Sequence, residues 1–133
     1  MNKLIFIFLA FILWSCTGQD LDMKEAKNTA EKAIILIGDK NFDELATLYS
    51  EDFSNSEPKE ERNNKFIQII DATGATESFE LTDSVSESNM GEESRIILTY
   101  KVKHTKLTML EKYKIGKENG KYVIAGIDLQ MSN

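Results

Sequence analysis

The 133 residues carry 22 acidic and 16 basic side chains for a formal charge of −6, with 41% hydrophobic residues, one cysteine, one histidine and one proline. A single cysteine excludes an internal disulfide, and with one histidine it leaves no His/Cys set for a zinc-type centre. The length suits one domain and leaves no room for a second.

In chain order, Leu4–Trp14 is an eleven-residue apolar run behind Lys3, long enough for the h-region of an export signal but short of the ~20 residues that span a bilayer. Residues 1–15 are therefore expected to be a signal peptide. The stretch Leu13-Trp14-Ser15-Cys16 resembles a bacterial lipobox, although Trp14 is larger than the residue usual two places before the cysteine. That resemblance implies cleavage before Cys16, lipidation of Cys16, and a membrane as partner through the N-terminal lipid. The expected location is a bacterial cell envelope, at the outer membrane if the cell is Gram-negative. An ordinary secretory signal with an incidental Cys16 is the alternative. Residues 16–21 read as a short tether and 22–133 as one domain. Loss of Lys3 takes the charge to −7, and nineteen of the acids fall in Asp20–Glu93 against seven bases, whereas Ser94–Asn133 holds three acids and eight bases. Such an acidic first half disfavours nucleic acid or anionic lipid as its partner.

Asp22-Met23-Lys24-Glu25 fits a capping box, and Met23, Ala26, Ala30, Ala33, Ile34 and Ile37 then recur at helical spacing to a stop near Gly38. Asn41-Phe42-Asp43-Glu44 repeats the capping pattern and opens a short second helix. Glu51–Glu57 reads as a polar loop, and Lys59–Ile70 as a third helix behind Pro58, stopped by Gly74. The period then changes to two. Phe79 and Leu81 mark a first strand, Ser84–Glu93 a polar connection, and Arg95–His104 the clearest strand, with Ile96, Leu98, Tyr100 and Val102 on one face. Leu107–Lys117 and Tyr122–Leu129 flank Glu118-Asn119-Gly120, a turn that favours positive φ. The fold class is α+β, with the last three strands in a meander.

The phrase Gly38-Asp39-Lys40-Asn41-Phe42-Asp43-Glu44-Leu45 and the hairpin Lys117-Glu118-Asn119-Gly120-Lys121-Tyr122-Val123-Ile124 resemble the NTF2-like (cystatin-like) superfamily, and in particular its small bacterial lipoproteins. The resemblance spans Met23–Leu129. It implies three N-terminal helices packed on a strongly curved, cone-like antiparallel sheet, and a homodimer through the sheet is open. The superfamily includes isomerases, dehydratases, carriers and silent scaffolds, so the fold does not choose among them.

Glu111 is the weak candidate for catalysis. It shares strand parity with Leu107, Met109, Tyr113 and Ile115. Facing a cavity it would become a general base; at a bulge or beside a lysine it would be a solvated charge, and the second reading is favoured. Tyr100, Tyr113 and Tyr122 with Glu111 are candidate ligand-binding residues, with core or rim packing as the plainer role. Asp128 shares parity with Tyr122 and Ile124 but lies near a strand end and is expected in solvent. His104, at an apparent turn, is expected on the surface. Neither a metal site, a phosphate-cradling loop, a nucleic-acid module nor a serine hydrolase is indicated, and no cofactor is called for. The expected function is noncatalytic: an envelope protein binding a small ligand or protein partner through its cavity or sheet surface. The alternatives are a small-cavity acid–base enzyme using Glu111 and a ligand-free structural subunit.

Overall fold

A computed structural model describes residues 21–88 and 93–132; the segment expected to be an export signal, and Cys16, lie outside the described residues. Helix α1, Met23–Gly38, begins where the Asp22 side chain accepts from the Lys24 amide. Ala26, Ala30 and Ala33 are fully buried on one side of it, and these small side chains let its backbone lie close to the sheet while Ile34, Leu36 and Ile37 fill the space beside them. Burial of each such aliphatic side chain contributes about 1.5–3 kcal/mol. The helix ends as Lys40 enters the left-handed region at φ 56° and the Asn41 amide donates back to the Leu36 carbonyl.

Among the described residues four helices precede the sheet rather than three. Helix α2 is Phe42–Ala46, capped by Asn41, and α3 is Glu51–Asn55. The latter occupies the segment expected to be a loop, because the Ser50 hydroxyl accepts from the Phe53 amide and Glu51 and Asp52 favour a first turn. Helix α4 runs Lys59–Thr73 behind Pro58 and stops at Gly74, whose φ is +86°. A side chain at residue 74 would also strike the Thr105 hydroxyl, so the glycine serves both the turn and the close approach of the chain at Thr105.

Strands β1 (Thr76–Glu87), β2 (Arg95–His104), β3 (Thr108–Glu118) and β4 (Lys121–Met131) form one antiparallel meander in the order β1-β2-β3-β4. The sheet is open, with β1 and β4 at its edges, and is not curled into the cone that the family resemblance implied. Four strands whose first and last members stay apart cannot close on themselves. Alternation puts Ile96, Leu98, Tyr100 and Val102 of β2 and Met109, Tyr113 and Ile115 of β3 on the buried face, with Lys101, Lys103, Lys112 and Lys114 on the other. β1 is longer than expected and takes in part of the polar connection. One extra residue, Ala125, bulges β4 between the pairs Ile115–Ile124 and Lys114–Gly126.

Candidate functional site

The inner face of β2 and β3 brings a polar chain into the core. Glu111 is 4% exposed and Tyr113 fully buried. The Tyr113 hydroxyl donates to Glu111 Oε1 at 2.5 Å, and His104 Nε2 lies 3.4 Å from Glu111 Oε2. With Glu111 ionised, its carboxylate only accepts and Nε2 carries the hydrogen of that contact. On the other side of the ring, Nδ1 meets the Thr76 hydroxyl at 3.3 Å. Gly38 is what lets Thr76 sit against the end of α1, since a Cβ there would come within 3.0 Å of its Oγ1.

His104 is thus not a surface turn residue. It is 8% exposed and pairs across the sheet with Thr76. The signal was in the alternation itself, for His104 continues the inward series of Ile96, Leu98, Tyr100 and Val102, and the turn begins only after it. Glu111, favoured as a solvated or lysine-paired charge, is likewise enclosed, its neighbours a phenol and an imidazole. Tyr100 lies edge-on to Tyr113 with ring centroids 6.3 Å apart, but its buried hydroxyl has no hydrogen-bond partner among the described residues. Burial, reinforced by Glu31, raises its pKa, and burial beside Glu111 raises that of Tyr113. The structure therefore groups Tyr100, Glu111 and Tyr113 but not Tyr122. Tyr122 stands at the opposite end of the sheet, where its hydroxyl accepts from the Asp22 amide at 2.7 Å and its ring lies under the Lys117 ammonium. Asp128 is exposed and accepts from the Gln130 amide group.

A second arrangement lies beside this one and has no trace in linear sequence. Arg62 of α4 is only 4% exposed. Its guanidinium sits over the rings of Phe53 at 4.1 Å and Tyr49 at 5.0 Å, while Nε donates to Glu57 and Nη2 to Ser56 Oγ and the Phe53 carbonyl. Desolvation of a guanidinium is costly, and these stacked and charge-assisted contacts offset it. Burial pushes the Tyr49 hydroxyl up to about 12 against the pull of Arg62. Next to Arg62 a groove of about 250 Å³ separates α4 from β4, with Phe53, Phe66, Ile69, Ile127 and Leu129 as its apolar lining. Ile127 and Leu129 are the cross-strand partners of Tyr113 and Glu111, so the groove floor adjoins the buried polar chain without opening onto its carboxylate.

A larger concavity of about 570 Å³ lies at the other end of the sheet, where Glu51, Asp52, Glu87 and Glu118 alternate with Arg95 and Lys114. Among the described residues no cluster of three or more His, Cys, Asp or Glu is placed to hold a metal ion, and no helix is long and apolar enough to cross a membrane.

No family model matches the chain, and no curated protein matches it. Solved structures do. A Nostoc punctiforme protein of unknown function with a cystatin-like fold is similar over 84% of this chain and 91% of its own, at 15% identity and a TM-score of 0.61. The beta subunit of a Burkholderia mallei benzoate 1,2-dioxygenase aligns over 86% and 93% at 14% identity and a TM-score of 0.54. A putative scytalone dehydratase from Novosphingobium aromaticivorans aligns over 84% of each chain at 14% identity and a TM-score of 0.53. At these identities the likeness is one of fold alone, and the Nostoc punctiforme structure gives that fold the description cystatin-like.

Proposed function

We propose that this chain is a noncatalytic binding protein of the bacterial cell envelope, and that the groove between α4 and β4 is its recognition surface. The observation that carries this reading is the state of Glu111. Both of its oxygens face internal donors, and the side chain is nearly closed to solvent. A general base needs an oxygen within reach of a substrate proton; Glu111 instead ties β2, β3 and the start of β1 together. The groove, by contrast, is concave and open, its apolar floor bordered by the charged side chains of Glu57, Arg62, Lys65 and Asp128, and binding sites commonly join apolar surface to placed polar groups in this way. Amide-shift mapping tests the reading. Phenylacetate and toluene should perturb Phe66, Ile69, Ile127 and Leu129, and Glu111→Gln should leave that perturbation in place. Shifts centred on Glu111 and His104, lost in Glu111→Gln, would transfer the function to an interior acid–base site.

The envelope part of the proposal rests on Leu4–Trp14 and Cys16 in the sequence. The chain enters the domain at Leu21, which packs on the core, and Asp22, which is pinned to Tyr122. Five residues extend at most about 18 Å, so a lipid on Cys16 would hold the β3–β4 turn near the membrane and point the His104 end away from it. Mass spectrometry of the mature N-terminus is the test: a diacylated or triacylated peptide beginning at Cys16 supports it, and an unmodified one beginning elsewhere removes the anchor.

A further inference from the structure

The two edges of the sheet are finished differently. β1 is interrupted by two register shifts and presents Glu77, Glu80, Asp83 and Glu87, which are devices that discourage a further strand. Along β4 the first half is already covered: the Ile124 amide donates to the Leu48 carbonyl at 2.7 Å, the Ser50 amide donates to the Ile124 carbonyl at 2.8 Å, and Tyr49 thereby forms a parallel bridge with Ile124. The chain then enters α3, whose Phe53 lies beside Ile127 and Leu129 in the groove, and among the described residues no strand pairs with the second half of the same edge.

The register says which backbone groups are left there. The Ser132 amide donates to the Thr108 carbonyl, and Gly126, Asp128 and Gln130 stand opposite Lys114, Lys112 and Leu110. Antiparallel pairing alternates, so the amides and carbonyls of Gly126, Asp128, Gln130 and Ser132 face β3 while those of Ile127, Leu129 and Met131 point off the edge. The side chains of these three residues share the inner face with Tyr113, Glu111 and Met109, and Met131 is 71% exposed. Unpaired backbone and apolar side chains thus lie along one line, bordered by Phe66 and Ile69 of α4.

We propose that the open half of β4, residues 125–131, with the groove beneath α4, is a strand-addition site for an extended peptide segment of a partner protein that alternates apolar with polar residues. It rests on the binding reading above and names the occupant of that groove. The peptide continues the line begun by Leu48–Ser50. Its backbone pairs with Ile127, Leu129 and Met131, and its apolar side chains enter beside Phe66 and Ile69, the mode in which main-chain bonds supply affinity and alternate pockets supply selectivity.

The test is hydrogen exchange on the mature chain in lipid nanodiscs, with a capped heptapeptide alternating valine and threonine as probe. Saturation should slow exchange of the Ile127 and Leu129 amides at least tenfold and leave Gly126, Asp128 and Gln130 unchanged. A version N-methylated at alternate residues, on the edge meant for β4, should bind at least tenfold more weakly. Leu129→Pro removes an outward donor and spares the β3–β4 ladder, so it should abolish the protection; if it does not fold, Ile69→Glu, in the groove wall on α4, should do the same. Equal binding of the methylated peptide, or no protection by either peptide while phenylacetate still perturbs Phe66 and Ile69, overturns strand addition and leaves the groove as a side-chain site. Protection that rises with protein concentration before peptide is added makes the occupant a second copy and overturns the proposal. Silence to the peptides and phenylacetate alike removes the groove itself.

Discussion

The closed centre of the inner face and its open margin differ in how their side chains and backbone are partnered. A carboxylate, an imidazole and phenols occupy the interior, whereas Ile127, Leu129 and Met131 stand at the rim, a few residues away along the same sheet. The difference teaches that polarity alone does not separate core from site in this protein: the buried Glu111 and His104 have their partners in Tyr113, in each other and in Thr76, whereas the outward backbone at the rim has none among the described residues. A buried group with its partners in place holds a structure together, and an accessible apolar row without partners marks where something can be added.

The largest expected effect comes from the lock at the closed end. Gly74→Ala forces a side chain into the left-handed region and onto Thr105, and should cost about 3–4 kcal/mol in chemical denaturation. Gly120→Ala is its control: its φ is +77° but nothing lies within 4 Å, so about 1 kcal/mol is expected. Equal losses would mean that backbone conformation, not the contact with Thr105, sets the cost at residue 74.

Glu111→Leu should cost about 2–3 kcal/mol, because it leaves the Tyr113 hydroxyl and His104 Nε2 buried without their acceptor. Tyr113→Phe should cost about 1.5–2 kcal/mol for the loss of one hydrogen bond to a charged group. Tyr100→Phe sharpens the comparison: its hydroxyl is buried near the Glu31 carboxylate but makes no hydrogen bond of good geometry among the described residues, so removal should change stability by less than about 1 kcal/mol. Thermal unfolding of the three variants side by side checks the order, and a Tyr100→Phe loss as large as that of Tyr113→Phe would break it.

The smallest effect is alkaline. Tyr49 titrates at about 12 in the folded chain against 10.0 for an unperturbed tyrosine, and Tyr100 and Tyr113 are also raised. Between the two Tyr49 values the native state holds a proton that the unfolded chain has released. That contribution to stability is complete below about pH 10 and is lost as pH rises towards 12. Tyrosinate absorbance should accordingly show Tyr49, Tyr100 and Tyr113 ionising late, with Tyr49→Phe removing one late step.

Much of the architecture was legible because it is local. Capping at Asp22 and Asn41, the helical recurrence from Ala26 to Ile37, and alternation along Arg95–His104 and the strands after it depend on spacings within one element. Helix α3 was missed because a single turn has too few residues to show a period, and its signal lay in the Ser50 cap alone. The openness of the sheet was not legible at all: alternation reports which face a residue occupies, and strand number and pairing decide whether edges meet. For Glu111, sequence determined the face but not the company. Tyr113 is two residues away, yet His104 reaches it only through the β2–β3 register, and Thr76 only through the pairing of β1 with β2. The groove needed still more, since α4 and β4 are separated by the whole sheet and meet through packing that no spacing in the chain encodes.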